Sequence, residues 1–291
     1  MTHYQSGILD SPPAAARYLY FALRRDGDAA RGLSALKPFV DGEACVAGLG
    51  ASLVAALGKT VEGLTEFPNW SSAGVDIPST PAALWVWLRG DDLGDTLRRA
   101  HTLGNAIGDD FSLIVSIDGF RHGEGRDLTG YIDGTENPEG NDAIETAFIA
   151  EGELAGSSFV AVQKWVHDLH TFNAMPATQR DHTIGRRISD NEEIDDAPES
   201  AHVKRTAQES FSPEAFLLRR SMPWADVCTQ GLMFVAFAAS VAPFEAQLQR
   251  MIGMEDGIVD ALFDFSRPVS GSYFWCPPMH RGELDLGHLG L

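Results

Sequence analysis

The chain has 291 residues, 44% hydrophobic content and a formal net charge of −19 at neutral pH, enough apolar mass for one large domain or two ordinary ones. That acidity excludes a nucleic-acid partner, whose phosphates call for clustered lysine and arginine. No apolar run approaches the ~18 residues that cross a bilayer, and Met1 to Gly7 carry no basic-then-apolar export pattern, so no membrane partner and a cytoplasmic location are expected.

Taken in chain order, residues 17–23 read as an aromatic-rich strand, and Ala29 to Val40 carries helical spacing. Ala44 to Leu49 is a short apolar run, Ser52 to Leu57 a helix begun past Gly50, and Leu84 to Leu88 a strand. From Asp91 to Ile107 the apolar positions Leu93, Leu97, Ala100, Leu103 and Ile107 recur at three and four residues, which predicts a helix leading into a strand from Phe111 to Ile117. A polar stretch from Thr135 to Gly156 reads as a link with a helical piece at Ala143 to Ile149. Beyond it, Ser158 to Val166, a strand beginning at Leu217 to Arg220, Gly231 to Ser240 and Ser272 to Trp275 read as strands, with helices at Phe244 to Ile252 and Gly257 to Phe265. Strands and helices intermix without sustained β-α alternation, which predicts an α+β fold.

Gly130-Tyr131-Ile132-Asp133-Gly134-Thr135-Glu136-Asn137-Pro138 holds a carboxylate between glycines, where backbone geometry can push it into a pocket. Asp-Gly and Asn-Pro are also ordinary turn formers. Ile184-Gly185-Arg186, Ala201-His202-Val203 and Leu218-Arg219-Arg220-Ser221 follow in that order. Together these runs resemble the dye-decolorizing peroxidases, in the compact bacterial branch without a signal peptide. The likeness extends from Gln5-Ser6-Gly7 to Tyr273-Phe274-Trp275.

That resemblance implies two ferredoxin-like halves with antiparallel sheets and peripheral helices: residues 1–140 carrying the Asp motif, and residues 150–291 holding most of the cofactor. It implies a haem-dependent peroxidase that reduces hydrogen peroxide and oxidises aromatic compounds or dyes through an oxyferryl intermediate. A haem-binding or iron-handling protein with incidental peroxidase turnover is the alternative. By the same resemblance His202 is the axial ligand of the haem iron and Asp260 its carboxylate partner, Asp133 and Arg219 lie over the distal face, and Arg186 meets a haem propionate. Ser221 stands where many relatives have Asn. Homo-oligomers are common among the relatives, so one is expected here.

Each residue type suits its part. A carboxylate accepting the second N–H of an axial imidazole raises its basicity. Asp133 can shuttle a proton, whereas a guanidinium stays protonated in the working range, so Arg219 supplies charge and not a base. Strand alternation sends Arg219 and Arg220 to opposite faces, so only one of them can be distal. The chain lacks Cys-x-x-Cys-His, which makes the haem b non-covalent, and Cys45, Cys228 and Cys276 read as reduced thiols. Trp165, Tyr131, Trp224, Tyr273 and Trp275 read as cavity lining and core, with an electron relay as the second possibility. His167, Asp168 and His170 form no recognisable metal set without a further cluster. The alternating leucines of residues 282–291 faintly resemble an encapsulin-type cargo tail, but a frayed terminus is expected.

Overall fold

In the computed structural model, residues 3–291 are described. Strand β1 (Ala15–Leu23) points Tyr18 and Tyr20 to one side and Leu19 and Phe21 to the other, and all four are buried. Helix α1 (Ala29–Leu36) begins where the Asp28 carboxylate accepts from the Arg31 amide. It stops short of the expected Val40, because the chain tightens into a 3₁₀ turn over Lys37–Phe39 that contains Pro38. Strand β2 (Cys45–Leu49), helix α2 (Ala51–Ala56), a hairpin of β3 (Trp70–Ser72) and β4 (Val75–Ile77), β5 (Leu84–Gly90), α3 (Leu93–Ile107) and β6 (Phe111–Phe120) complete the first unit. Its sheet runs β2-β5-β1-β6, antiparallel throughout.

Helix α4 (Gly140–Ala147) leads to β7 (Ser158–His167), α5 (Leu169–Ala174), α6 (Ala177–Ile184), α7 (His202–Arg205), β8 (Leu218–Arg219), β9 (Met222–Ala225), β10 (Gln230–Ala238) and α8 (Ala242–Met251). Then come β11 (Ser266–Pro268), β12 (Ser272–Cys276) and a small hairpin of β13 (Met279–His280) and β14 (Glu283–Leu284). The order β12-β7-β10-β9 repeats that of β6-β1-β5-β2, with each unit's last strand beside its first. This is the ferredoxin-like antiparallel arrangement of an α+β fold. The two sets meet through single residue pairs, Leu49 with Trp275 and Gly119 with Trp224.

The facing sides of the sheets enclose one core that includes Tyr18, Trp85, Trp87, Val160, Phe237 and Phe274. The far side of the first sheet is covered by α1 and α3. The far side of the second packs against Phe244, Leu248 and Met251 of α8. Strand periodicity therefore puts Gln163, Trp165 and His167 of β7, and Leu232 and Phe234 of β10, on the α8 side.

Two expectations change. Gly257 to Phe265 is not a helix: Gly253 (φ +73°) and Gly257 (φ +80°) turn the chain, Ile252 bridges Val259, and only Ala261–Asp264 winds a 3₁₀ turn. Positive φ cannot continue a right-handed helix. Nor is the end of the chain frayed, since Leu284, Leu286 and Leu289 are buried in the core of the first unit. Among the described residues no helix is long and apolar enough to cross a membrane.

Candidate active site

A partly open cavity lies between the outer face of β7 and β10 and the helices over it. Leu232, Phe234, Phe244, Leu248, Met251, Leu262 and Phe265 give it apolar walls, and His202, Asp133, Arg219, Asp127 and His167 bring ionisable groups to it. A second, more polar cavity shares Asp127, Asp133, Arg219 and Leu232 with the first and adds Ser221, Arg121 and His122.

His202 opens the four-residue helix α7. Its Nδ1 sits 2.8 Å from Oδ2 of Asp260, which is 1% exposed and whose other oxygen accepts from the Leu262 amide at 2.8 Å. A buried carboxylate with both oxygens engaged fixes the ring and its tautomer, with the proton on Nδ1 and the lone pair on Nε2. The end of α6 packs closely on α7 through Gly185, its left-handed cap (φ +93°): a Cβ there would clash with Val203 Cγ2.

Asp133 is carried by a narrow hairpin. Arg126 bridges Ile132, the Asp127 amide donates to the Tyr131 carbonyl at 2.8 Å, and the Asp133 amide donates to the Gly125 carbonyl at 3.1 Å. Gly130 (φ +91°) and Gly134 (φ +80°) supply left-handed turns on either side. Arg219, on the short strand β8, brings Nε to 3.9 Å from Asp133 Oδ1, and that buried Nε has no hydrogen-bond partner. Ser221 Oγ and Gln163 Nε2 are likewise buried without partners. Arg220 turns the other way, as strand alternation requires. It donates from Nε to the Ile8 carbonyl at 2.9 Å and from Nη2 to the Leu9 carbonyl at 2.6 Å, and burial lowers its pKa to about 10.

The rest of the Asp133 motif binds the site together. The Asn137 side-chain carbonyl accepts from the Arg219 amide at 2.7 Å while its amide donates to the Arg219 carbonyl at 3.1 Å, a two-point clamp on the backbone that presents the guanidinium. Glu136 accepts from Arg186 Nη2 at 2.6 Å. Arg186, expected at a cofactor carboxylate, does not line the cavity. It is buried, and its donors go to Glu136, Glu193 and the Asn191 carbonyl, because a desolvated guanidinium needs carboxylate and carbonyl partners.

Sequence reasoning did not single out Asn137, Asp127 or the pairing of His167. His167 Nε2 lies 3.1 Å from Asp127 Oδ1 and its Nδ1 2.6 Å from Ser266 Oγ, while Asp168 caps α5 through the Thr171 amide. Burial pushes the Asp127 carboxyl up, but the His167 hydrogen bond and charge, with two bonds from Thr129, hold it below its ordinary value. Asn137 stood in the motif, and Asp127 lay six residues before Asp133, but only the fold brings β8 beside the one and β7 beside the other. Of the aromatic residues, Trp165 and Tyr131 line the cavity. Trp224, Tyr273 and Trp275 are buried, Trp224 donating to the Trp165 carbonyl at 2.9 Å.

Known proteins resemble this chain in sequence and in fold. Residues 124–281 match the family model described as Dyp-type peroxidase, C-terminal. A dye-decolorizing peroxidase of Rhodococcus erythropolis is 34% identical over 208 residues, which is 69% of this chain and 61% of that protein's length. The dye-decolorizing protein from V. cholerae superposes with a TM-score of 0.86 at 27% identity, covering 94% of this chain and 96% of that one. A variant of DypB from Rhodococcus jostii RHA1, solved in complex with heme, gives 0.85 at 27% identity over 93% of this chain and 94% of its own. The chain belongs to the Dyp-type peroxidase family.

Proposed function

We propose that the apolar cavity holds one non-covalent b-type haem and that the chain is a haem peroxidase reducing hydrogen peroxide at the expense of aromatic compounds or dyes. One observation carries the reading: a carboxylate-anchored imidazole and an Asp–Arg pair share one cavity with apolar walls. The residues suit the group. A neutral imidazole with its Nδ1 proton committed offers Nε2 to iron, the walls match a flat apolar ring, and the unpartnered Arg219 Nε and Ser221 Oγ are donors awaiting a polar ligand.

When bound, the haem would supply the two electrons that split the O–O bond, one from the iron and one from the porphyrin. His202 would hold it, with Asp260 keeping the ring oriented and basic. Asp133 takes the proton from one peroxide oxygen at its carboxylate and returns it to the other. Arg219 offers fixed positive charge to the leaving oxygen in a site of low dielectric, where such charge counts most. Ser221 is short, and its hydroxyl contributes a donor beside the pair. Arg186 holds Glu136 in this reading. The tail leucines are committed to the core, so cargo docking forms no part of it. Self-association is supported by Leu113, Ile114 and Val115, exposed on β6 beyond its single pairing with β9, and light scattering of the purified protein tests it.

Reconstitution with haemin tests the ligand. The wild type is expected to show a ferric, imidazole-ligated spectrum, and His202→Ala to lose it or leave the cavity unfilled. An unchanged Soret band and iron–histidine resonance signature in His202→Ala would overturn the assignment and turn attention to His167 or His182.

A further inference from the structure

The wall of the cavity contains a buried His–Asp pair that the proposed chemistry does not use. The Ser266 hydroxyl on β11, the His167 ring on β7 and the Asp127 carboxylate at the head of the Asp133 hairpin form one line of hydrogen bonds, at 2.6 and 3.1 Å. Asp127 Oδ2 accepts from both the Thr129 amide at 2.9 Å and its hydroxyl at 2.6 Å. The Asp127 amide holds the Tyr131 carbonyl, its carbonyl receives the Gly130 amide, and two residues beyond Tyr131 stands Asp133. Every polar atom of Asp127 therefore either ties the hairpin to itself or ties it to β7.

A Ser–His–Asp line suggests acyl transfer, but Ser266 is 3% exposed and its hydroxyl is paired with the ring across neighbouring strands, so no substrate reaches it as a nucleophile. What remains is mechanical. The hairpin is anchored at Tyr131, which packs with Phe172 and Phe265 and donates to Asp181, whereas Asp133 keeps 28% of its side chain exposed. The link between hairpin and sheet on this side runs through the imidazole.

We infer that His167, backed by Ser266, is a positioning residue that sets the Asp133 carboxylate beside Arg219 by clamping Asp127 to the second sheet. This rests on the reading of Asp133 as the proton-carrying group. The ionised Asp127 must accept from the ring, so Nε2 carries a proton, while Nδ1 pairs with the Ser266 hydroxyl. The geometry tolerates one conservative change. In Asp127→Asn the side-chain carbonyl still accepts from Thr129, and a ring protonated on Nδ1 alone accepts from the new amide while donating to Ser266. His167→Leu and Asp127→Ala allow no such exchange.

Amide hydrogen exchange of the full chain without haem gives a readout independent of turnover. The amides of Asp127, Gly130 and Asp133 are expected to exchange at least about tenfold faster in His167→Leu and Asp127→Ala, with those of β7 and β10 unchanged, and to stay within about twofold of wild type in Asp127→Asn. Ser266→Ala should give a smaller rise in the same three amides, which keeps the inference testable if the larger deletions do not fold. In the haem-loaded protein, the second-order rate with peroxide should fall in His167→Leu to the level of Asp133→Ala, and the double variant should lose nothing more. Unchanged protection in His167→Leu and Ser266→Ala, or additive losses in the double variant, would overturn the inference. A wild-type protein that does not react with peroxide would instead overturn the peroxidase reading, leaving the exchange result to judge the clamp.

Discussion

Asp133 and Arg219 stand 3.9 Å apart on the same cavity, yet their contributions should differ. A water molecule can carry a proton in place of a missing carboxylate, and Ser221 leaves room for one. Nothing mobile replaces a fixed cation beside a developing negative charge. Arg219→Leu is therefore expected to slow the reaction with peroxide on the order of 10²–10³-fold, the usual cost of a preorganised donor, and Asp133→Ala to slow it less. Stopped-flow rates for the two variants decide the order, and a more damaged Asp133→Ala would make the carboxylate the indispensable group. Asp260 acts behind His202. Asp260→Ala removes the partner of a ring nitrogen in a buried setting, and haem titration should show affinity weakened by about 10–100-fold. An unchanged affinity would mean that the ring is oriented by packing alone.

At the scale of elements, two loops are held by carboxylates whose ionisation is coupled to folding. Asp127 is held below its ordinary pKa, and Asp256 is lowered to about 2, first by its hydrogen bond with Arg205. A group depressed in the folded state stabilises it fully above the unfolded value, about 3.9 for Asp, and loses that contribution as pH falls through the folded value. Denaturant midpoints should thus decline between pH about 4 and about 2, and Asp127→Asn should remove part of that decline. A midpoint insensitive to that substitution throughout the acid range would contradict the coupling.

The same scale shows what the sequence could disclose. The long helix α3 and strands β1, β5, β7 and β10 follow from periodicity, because each buries one continuous face or both. Gly257 to Phe265 looked helical because periodicity ignores the backbone sign of Gly253 and Gly257. The short pieces α5 and α6 bury little of their own and take their shape from the caps at Asp168 and Gly185. His202, Asp133 and Arg219 were legible through motifs. The partners that hold them, Asn137 and the pair of Asp127 with His167, were not: Asn137 reads as a turn former, and His167 lies 40 residues from Asp127. For Arg186 the motif gave a position in the chain and not the carboxylates of Glu136 and Glu193 that its side chain meets.

For the molecule as a whole, the two sheets share an aromatic core and meet through two single-pair joins, so the cavity on the second sheet depends on how firmly the first is built. The C-terminal leucines belong to that construction. Leu289→Ala is expected to destabilise the protein by ~2–5 kcal/mol, the usual cost of emptying a core leucine site, read as a lower urea midpoint. A frayed tail would give no change.

The peroxidase reading is tested most directly by mixing haem-reconstituted protein with one equivalent of hydrogen peroxide in a stopped-flow spectrophotometer, then adding a phenol or dye. A rapid stoichiometric change of the Soret band, followed by many turnovers and return of the ferric spectrum, is the expected result. Slow reaction accompanied by bleaching of the haem would contradict it and assign the cavity to haem or iron handling.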